Sequence, residues 1–309
     1  MRTEAQAAKQ AMTMPKRRKV NSYALRNTMI PWLFVIPGIL FTLWLRYYPL
    51  LKAFYISLFD YSVVEPPGKF IGLKNFTDIL NQSAYWSAWK NTFIFLILTL
   101  IITFAIPVIQ AIFLSEVRRS RSFLSTIYLV AAVVPISVTV ILWKWIWQPD
   151  YGVANGILSF FHLPHQLWLS DPFWTKFCIV LPGILGGGVT VLIYLAAILG
   201  IPGEVVEAAK MDGCSGWRKL YYIVLPNISS VIYLFFVMGV IGCMQLMVTP
   251  FQYTSGGPAG TSTPMGLYVY NTFMKEGEIG RSNAASVLLF IVVAVMTAIQ
   301  MKFDKSESG

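Results

Sequence analysis

The sequence predicts an all-α membrane protein built on six transmembrane helices. Three observations carry this. Of its 309 residues 56% are hydrophobic and only 12% charged, where soluble domains average roughly 45–50% and about 25%. Asn27–Leu45, Asn91–Ser115, Ser122–Trp143, Phe177–Gly203 and Ser282–Met301 contain no Asp, Glu, Lys or Arg, and Leu220–Met274 is a sixth such stretch, long enough for a span plus a loop. The basic residues are also unevenly shared between the two sides that six crossings would define.

A hydrocarbon core takes about 20 apolar residues as helix. The spans are expected near 29–47, 92–114, 123–146, 176–199, 228–248 and 284–302. Residues 1–28 read as a polar tail and 303–309 as a short C-terminal tail. The tail does not read as a signal peptide: it is basic, but the apolar run behind it is span-length and has no clear small-residue cleavage site. The cysteines Cys178, Cys214 and Cys243 are far apart and suggest no disulfide framework.

Six spans place both termini on one side, with 115–122 and 200–227. These four segments hold seven, two, three and three Lys or Arg (N-tail, C-terminus counted from Lys302, 115–122 and 200–227), fifteen of the 24, against seven of the 14 acidic residues. The other side holds nine basic and seven acidic residues. By the positive-inside rule the first group is cytoplasmic. The net charge of +10 is mostly this bias, and nucleic-acid binding is not expected.

On the outer side, Pro66-Pro67-Gly68, Asp150-Tyr151-Gly152, Ser170-Asp171-Pro172 and Ser255-Gly256-Gly257-Pro258-Ala259-Gly260 are turn signals, and 70–80 reads as a short surface helix. Trp44, Trp86, Trp89, Trp143, Trp145, Trp147, Trp168 and Trp174 gather near this face, as an interfacial belt does. Some could instead stack on a ligand, but Trp143, Trp145 and Trp147, two apart, cannot share one helix face. His162 and His165 flank Pro164 in a loop with Asp171 beyond, and read as solvated loop before metal site. No Ser–His–Asp or Cys–His arrangement is arguable. The span centres lack ionisable groups, which argues against an ion-coupled secondary transporter.

The longest inner loop, 201–226, reads as a structured element. Pro202 suits the first helical position. Glu204 and Glu207 complement the positive end of the helix dipole, and Lys210 the negative end. Gly213 stops the helix, Ser215 caps a second short one, and that one runs into the next span at Pro226. The small pair Ala208-Ala209 lets another surface approach closely.

Glu207-Ala208-Ala209, Asp212-Gly213 and Ile223-x-Leu225-Pro226 resemble the EAA loop of permease subunits of ATP-binding-cassette (ABC) importers. With Ile201-Pro202 and Trp217 the loop looks most like the maltose-type, carbohydrate branch. Tyr48-Pro49, Ser57-Leu58-Phe59-Asp60-Tyr61, Gly72-Leu73-x-Asn75-Phe76, Pro149-Asp150-Tyr151-Gly152, Trp168-Leu169-Ser170-Asp171-Pro172, Gly256-Gly257-Pro258 and Ala284–Phe290 are similar to family landmarks in family order. Cys214 stands where the branch usually has Ala. The fourth span carries Leu181-Pro182-Gly183-Ile184-Leu185-Gly186-Gly187-Gly188, where a Trp and bulkier polar residues are expected.

The resemblance implies a type I ABC importer permease fold in a cytoplasmic membrane of a bacterium or archaeon, with 29–302 as the permease domain and 201–226 as its coupling loop. It implies a second permease subunit, two cytoplasmic ATP-binding subunits, an extracytoplasmic solute-binding protein, and docking to the ATPase through Glu207, Ala208, Ala209, Asp212 and Gly213. The chain has no G-x-x-x-x-G-K-[ST] motif, so ATP and Mg are expected on the partner ATPase, with no cofactor in this chain. A sugar path needs aromatic faces and convergent polar groups at mid-membrane. The candidates are Thr190, Tyr194, Gly242, Cys243 and Gln245, each with packing as its bland alternative. Glycerol phosphate or a polyol is the alternative cargo; a phosphate ester would favour Arg or Lys near the cavity, and the spans show none.

Overall fold

A computed structural model describes residues 22–62, 68–117, 119–185 and 187–307, with side chains from 31 to 302. Most of the expected N-terminal tail, Pro66-Pro67 of the first turn signal and Gly186 lie outside the described residues. The chain divides into two compact units, Met1–Ala53 and Phe54–Gly309.

The first unit is dominated by one helix. α1 (Ser22–Thr42) contains Pro31 and Pro37 and passes through a π-helical stretch, Leu43–Tyr47, towards α2 (Tyr48–Ile56). The Thr42 hydroxyl donates to the Gly38 carbonyl, and Trp44 stacks on Tyr48 at 5.3 Å. The apolar window Pro31–Ile56 has none of its side chains buried. Trp32, Leu33, Phe34, Leu40 and Phe41 are all exposed, a surface that only lipid or another apolar protein face can satisfy.

In the second unit, α3 (Lys74–Leu80) is the expected surface helix. Asn75 anchors it by donating to the Ser57 and Phe59 carbonyls at 2.9 and 2.8 Å, and Asp78 pairs with Arg281 at 3.5 Å. α4 (Ser83–Ile102) and α5 (Ile106–Glu116) form one apolar run of 34 residues, interrupted ahead of Pro107. The long α15 (Ile279–Glu307) closes the unit. It continues past residue 302, so the described part of the expected C-terminal tail is helix; Lys302–Glu307 contains no Gly or Pro to stop it.

The other three spans are broken. The third, expected as one helix over 123–146, is α6 (Arg121–Val133) and α7 (Ile136–Ile146), bent by 93°. The cause is Pro135: it cannot donate to the helix, and it forces Val134 into extended backbone, ψ 124°. The fourth is α8's successor. After α8 (Val153–Phe160) come α9 (Trp174–Val180), a 3-10 turn Leu181–Ile184 containing Pro182, and α10 (Gly188–Leu199). The fifth follows α11 (Gly203–Met211). It joins a helical stretch Trp217–Asn227 to α12 (Ser229–Met244) across a 68° bend just beyond Pro226. At about 1.5 Å per residue, none of these arms alone matches a core of about 30 Å. α13 (Val248–Thr254) and α14 (Met265–Met274) complete the outer side.

The glycine run is read out as close packing. A Cβ on Gly188 would stand 2.2 Å from the Tyr128 carbonyl oxygen, so its absence lets α10 meet α6, and Gly187 takes φ +82° at the start of α10. Three apolar clusters hold the unit. One joins α3, α4, α12, α14 and α15 around Met244, Met265 and Ala285. The second joins α4, α7, α9 and α13 around Phe95, Cys178 and Tyr253. The third joins α5, α10 and the 217–227 stretch around Ala111, Val191, Tyr194 and Ile228.

Most of the outer tryptophans are structural. Trp143, Trp147, Trp168 and Trp174 form a chain of ring contacts at 5.5, 5.1 and 5.8 Å. Trp143 and Trp147, four apart, do share a face; Trp145 points away, exposed. Asn155 ties this column to the second outer loop. It donates to the Pro149 and Gln166 carbonyls, and its carbonyl oxygen accepts from the Gln166 N–H and from Trp168 Nε1 at 2.8 Å. Asp171 accepts the Phe173 and Trp174 N–H groups ahead of α9, and His165 Nε2 lies 2.6 Å from Ser159 Oγ.

Two stability outcomes follow. Asn155→Ala strands a buried indole N–H and two carbonyls, at about 1–3 kcal/mol per unsatisfied group, and should lower the unfolding temperature of the purified complex. Gly188→Val should cost about 1–3 kcal/mol by overpacking and reduce recovery of folded protein, measured by size-exclusion in detergent; unchanged recovery would show that α6 and α10 have room to separate.

Candidate functional site: the inner loop and its cavity

Residues 201–226 form the expected helical element, with two local differences. Pro202 precedes α11 at the N-cap with ψ 134°, since a residue entering a helix keeps extended backbone. Gly216, at φ +53°, takes the N-cap of the second short helix in place of Ser215, whose carbonyl accepts the Arg218 N–H. Only glycine tolerates that backbone. The end of α11 is a full Schellman motif. The Cys214 N–H reaches the Ala209 carbonyl at 2.8 Å and the Gly213 N–H reaches Lys210 at 3.0 Å, with Gly213 at φ +72°.

α11 is two-faced. Glu204, Glu207, Ala208 and Met211 are exposed, Met211 at 88%. They sit at i, i+3, i+4 and i+7, one stripe of a helix. Ala209 is only 7% exposed and packs inward. Ala208 therefore lies on the outward surface and Ala209 beneath it. Asp212 and Gly213 are exposed at the turn. Glu204 and Met211 belong to the outward stripe although the motif does not mark them; helical spacing from Glu207 is the signal that finds them.

Val206 and Lys210 face the other way, into a cavity of about 810 Å³ between α11, the inner ends of α5 and α10, and the 217–224 stretch. Lys219 crosses to Glu116 at 2.8 Å. Arg121 donates to the Leu114 carbonyl at 3.3 Å and to that of Ser115. The loop is thus joined covalently to α10 and α12, and by an ion pair to α5. α5 and α10 share the cluster that contains Val224 and Ile228, and α11 touches the 220–224 stretch that enters it.

The five mid-membrane candidates do not converge within this chain. Tyr194 is 1% exposed, with its ring against Phe235 at 5.1 Å and its hydroxyl without a partner. Cys243 is buried in a different cluster. Thr190 is half-buried, while Gly242 and Gln245 are exposed, Gln245 at the C-cap of α12. A second cavity, about 400 Å³, lies on the side expected to be outer, between Lys144, Trp147, Gln148, Ser170, Tyr253 and Pro258. Sequence reading did not anticipate it, because its walls come from three separate segments, 144–149, 167–170 and 253–258.

Comparison with known proteins matches residues 104–307 to the family described as binding-protein-dependent transport system inner membrane component. The lactose transport system permease protein LacF of Rhizobium radiobacter is 31% identical over 87% of this chain and 92% of its own length. The sn-glycerol-3-phosphate transport system permease protein UgpA of Agrobacterium fabrum is 27% identical over 92% and 97%. Among solved structures, a chain of a bacterial ABC transporter involved in import of the acidic polysaccharide alginate superposes with TM-score 0.81 at 21% identity, covering 92% of this chain and 98% of that one. The chain therefore belongs to the family of binding-protein-dependent transport system inner membrane components, and is a membrane-embedded permease with the ABC importer permease fold.

Proposed function

We propose that this permease forms half of the pathway by which an ATP-driven importer takes in a neutral sugar or oligosaccharide, and that α11 is the helix through which a separate ATPase drives it. The observation that carries this is the exposed stripe of Glu204, Glu207, Ala208 and Met211 on a helix whose other side turns to the 220–224 stretch and to the cavity bounded by α5 and α10. A small residue flanked by two carboxylates and an apolar tip suits a cleft on another protein. ATP and Mg belong to two cytoplasmic ATP-binding subunits, so both termini lie inside. A solute-binding protein delivers cargo outside.

A second permease is supported by the broken spans. Val134, Pro135 and Leu185, at the breaks of two spans, are exposed residues, and irregular backbone within a span is tolerated only against protein or along a water-filled cavity. Relatives named for lactose, trehalose/maltose and arabinooligosaccharide transport support a sugar as cargo. The phosphate-ester reading has one observation in its favour: Lys144 lines the outer cavity, its Nζ 3.5 Å from the Gln252 carbonyl.

Glu207→Lys should reduce sugar-stimulated ATP hydrolysis and uptake by about tenfold or more, since a reversed charge in an interface costs at least about 1.4 kcal/mol. Full uptake with full ATPase co-purification would overturn the docking assignment. Uptake by the reconstituted complex across neutral sugars, acidic sugars and glycerol phosphate should favour a neutral sugar. Preference for glycerol phosphate, abolished by Lys144→Gln, would establish the second reading.

A further inference from the structure

The inner cavity lies on the side of α11 turned away from the docking stripe. Its wall is apolar along Ile109, Phe113, Leu199, Ile201, Val206 and Ile223, and its rim carries Arg121, Lys210 and Lys219 against one carboxylate, Glu116. Glu116 is engaged by Lys219, and among the described residues neither Lys210 nor Arg121 forms an ion pair. The rim is therefore cationic. Its volume falls within the range of about 300–1,000 Å³ typical of small-molecule sites.

The surroundings fix its depth. Trp217 is 84% exposed, and Tyr221 and Tyr222 beside it are exposed as well. Trp and Tyr so displayed beside Lys and Arg mark the boundary between hydrocarbon and water. An apolar crevice opening at that boundary, rimmed by cations on the cytoplasmic side, matches one class of molecule: an amphiphile with an anionic head. Basic pockets between membrane helices on that side bind such headgroups. A free phosphate would leave the apolar wall unused, and an apolar peptide would leave the cations unused.

We propose that this crevice binds an anionic phospholipid of the cytoplasmic leaflet, its headgroup on Lys210, Lys219 and Arg121 and an acyl chain along Ile109 and Ile201, as the seat on which α11 rests. The inference relies on the cytoplasmic placement of α11 given above. α11 is then held between protein on one face and lipid on the other (Glu204, Glu207 and Met211 outward, Val206 and Lys210 inward).

The test uses the complete transporter in phosphatidylcholine nanodiscs containing trace photoactivatable phosphatidylglycerol or phosphatidylcholine, with crosslinks mapped by mass spectrometry. The phosphatidylglycerol probe should label segments 109–121 and 198–224 about fivefold more than the phosphatidylcholine probe. Lys210→Gln should lower that labelling about fivefold, the value of about 1 kcal/mol per cation near a membrane surface, and Lys210→Arg should restore it. Val206→Trp, which fills the crevice, should lower labelling by both probes. Equal labelling by the two lipids, or no lipid labelling because a partner subunit occupies the crevice, would overturn the proposal. ATPase co-purification, scored on the same samples, separates the two readings. If Glu207→Lys keeps the ATPase while lipid labelling persists, the docking assignment fails and the lipid site stands.

Discussion

Backbone hydrogen bonding in hydrocarbon is the constraint on which the rest of this structure depends. Each peptide group there must be satisfied inside the protein, so an unbroken helix is the default, and every break has to be accounted for. This chain breaks three of its spans. Pro135 opens the third, Pro182 and the glycines open the fourth, and a bend beyond Pro226 opens the fifth. Around these breaks the chain compensates with short polar links. Gln252 donates to Ser137 Oγ at 2.8 Å, bridging α13 and α7, and Gln110 donates to the Ile184 carbonyl at 3.3 Å, covering the end of the 3-10 turn. Where such links are missing, as at Val134, water or a second permease completes the backbone in the proposed assembly.

The same constraint explains why the inner loop is so well built. α10 and α12 are interrupted helices whose inner ends cannot rely on a continuous rod to hold them. The Schellman closure at Gly213, the left-handed turn at Gly216 and the Lys219–Glu116 pair supply rigidity just there. The ion pair is exposed on its carboxylate side and contributes little net energy; its value is in registering α5 against the loop. The stiffness comes from the packed cluster of α5, α10 and Val224, since close-packed interiors have low compressibility.

Much of this was legible in the sequence, because the signals are local. Charge-free runs mark the spans. Pro, Gly, Glu and Lys at set offsets mark α11, and the proposed docking role rests on the EAA pattern. The third span shows what was not legible: Ser122–Trp143 has ideal composition for one helix, yet Pro135 folds it through a right angle, and composition does not report direction. Ala209 shows the same limit on a smaller scale, since a motif names neighbours but only helical phase tells which one faces out. The outer cavity could not be found at all, being assembled from residues more than 100 positions apart.

The cargo site follows a different logic from the coupling helix. Recognition of a sugar requires polar groups that remain unpaired until the sugar arrives. Tyr194 and Cys243 are spent on interior packing, and a buried group cannot be exposed to a passing solute without opening the cluster it supports. Gln245 is differently placed: exposed, at the end of α12, where the chain leaves the helix before α13 and its own N–H closes the last turn onto the Ile241 and Cys243 carbonyls. Its exposed side-chain amide offers both donors and acceptors, which suits hydroxyl-rich solutes. In the proposed half-pathway, then, the break after α12 is the position where this chain would meet its cargo. In that proposal the side chains that discriminate among sugars are those that the two permeases would turn towards each other, outside the packed interior of either.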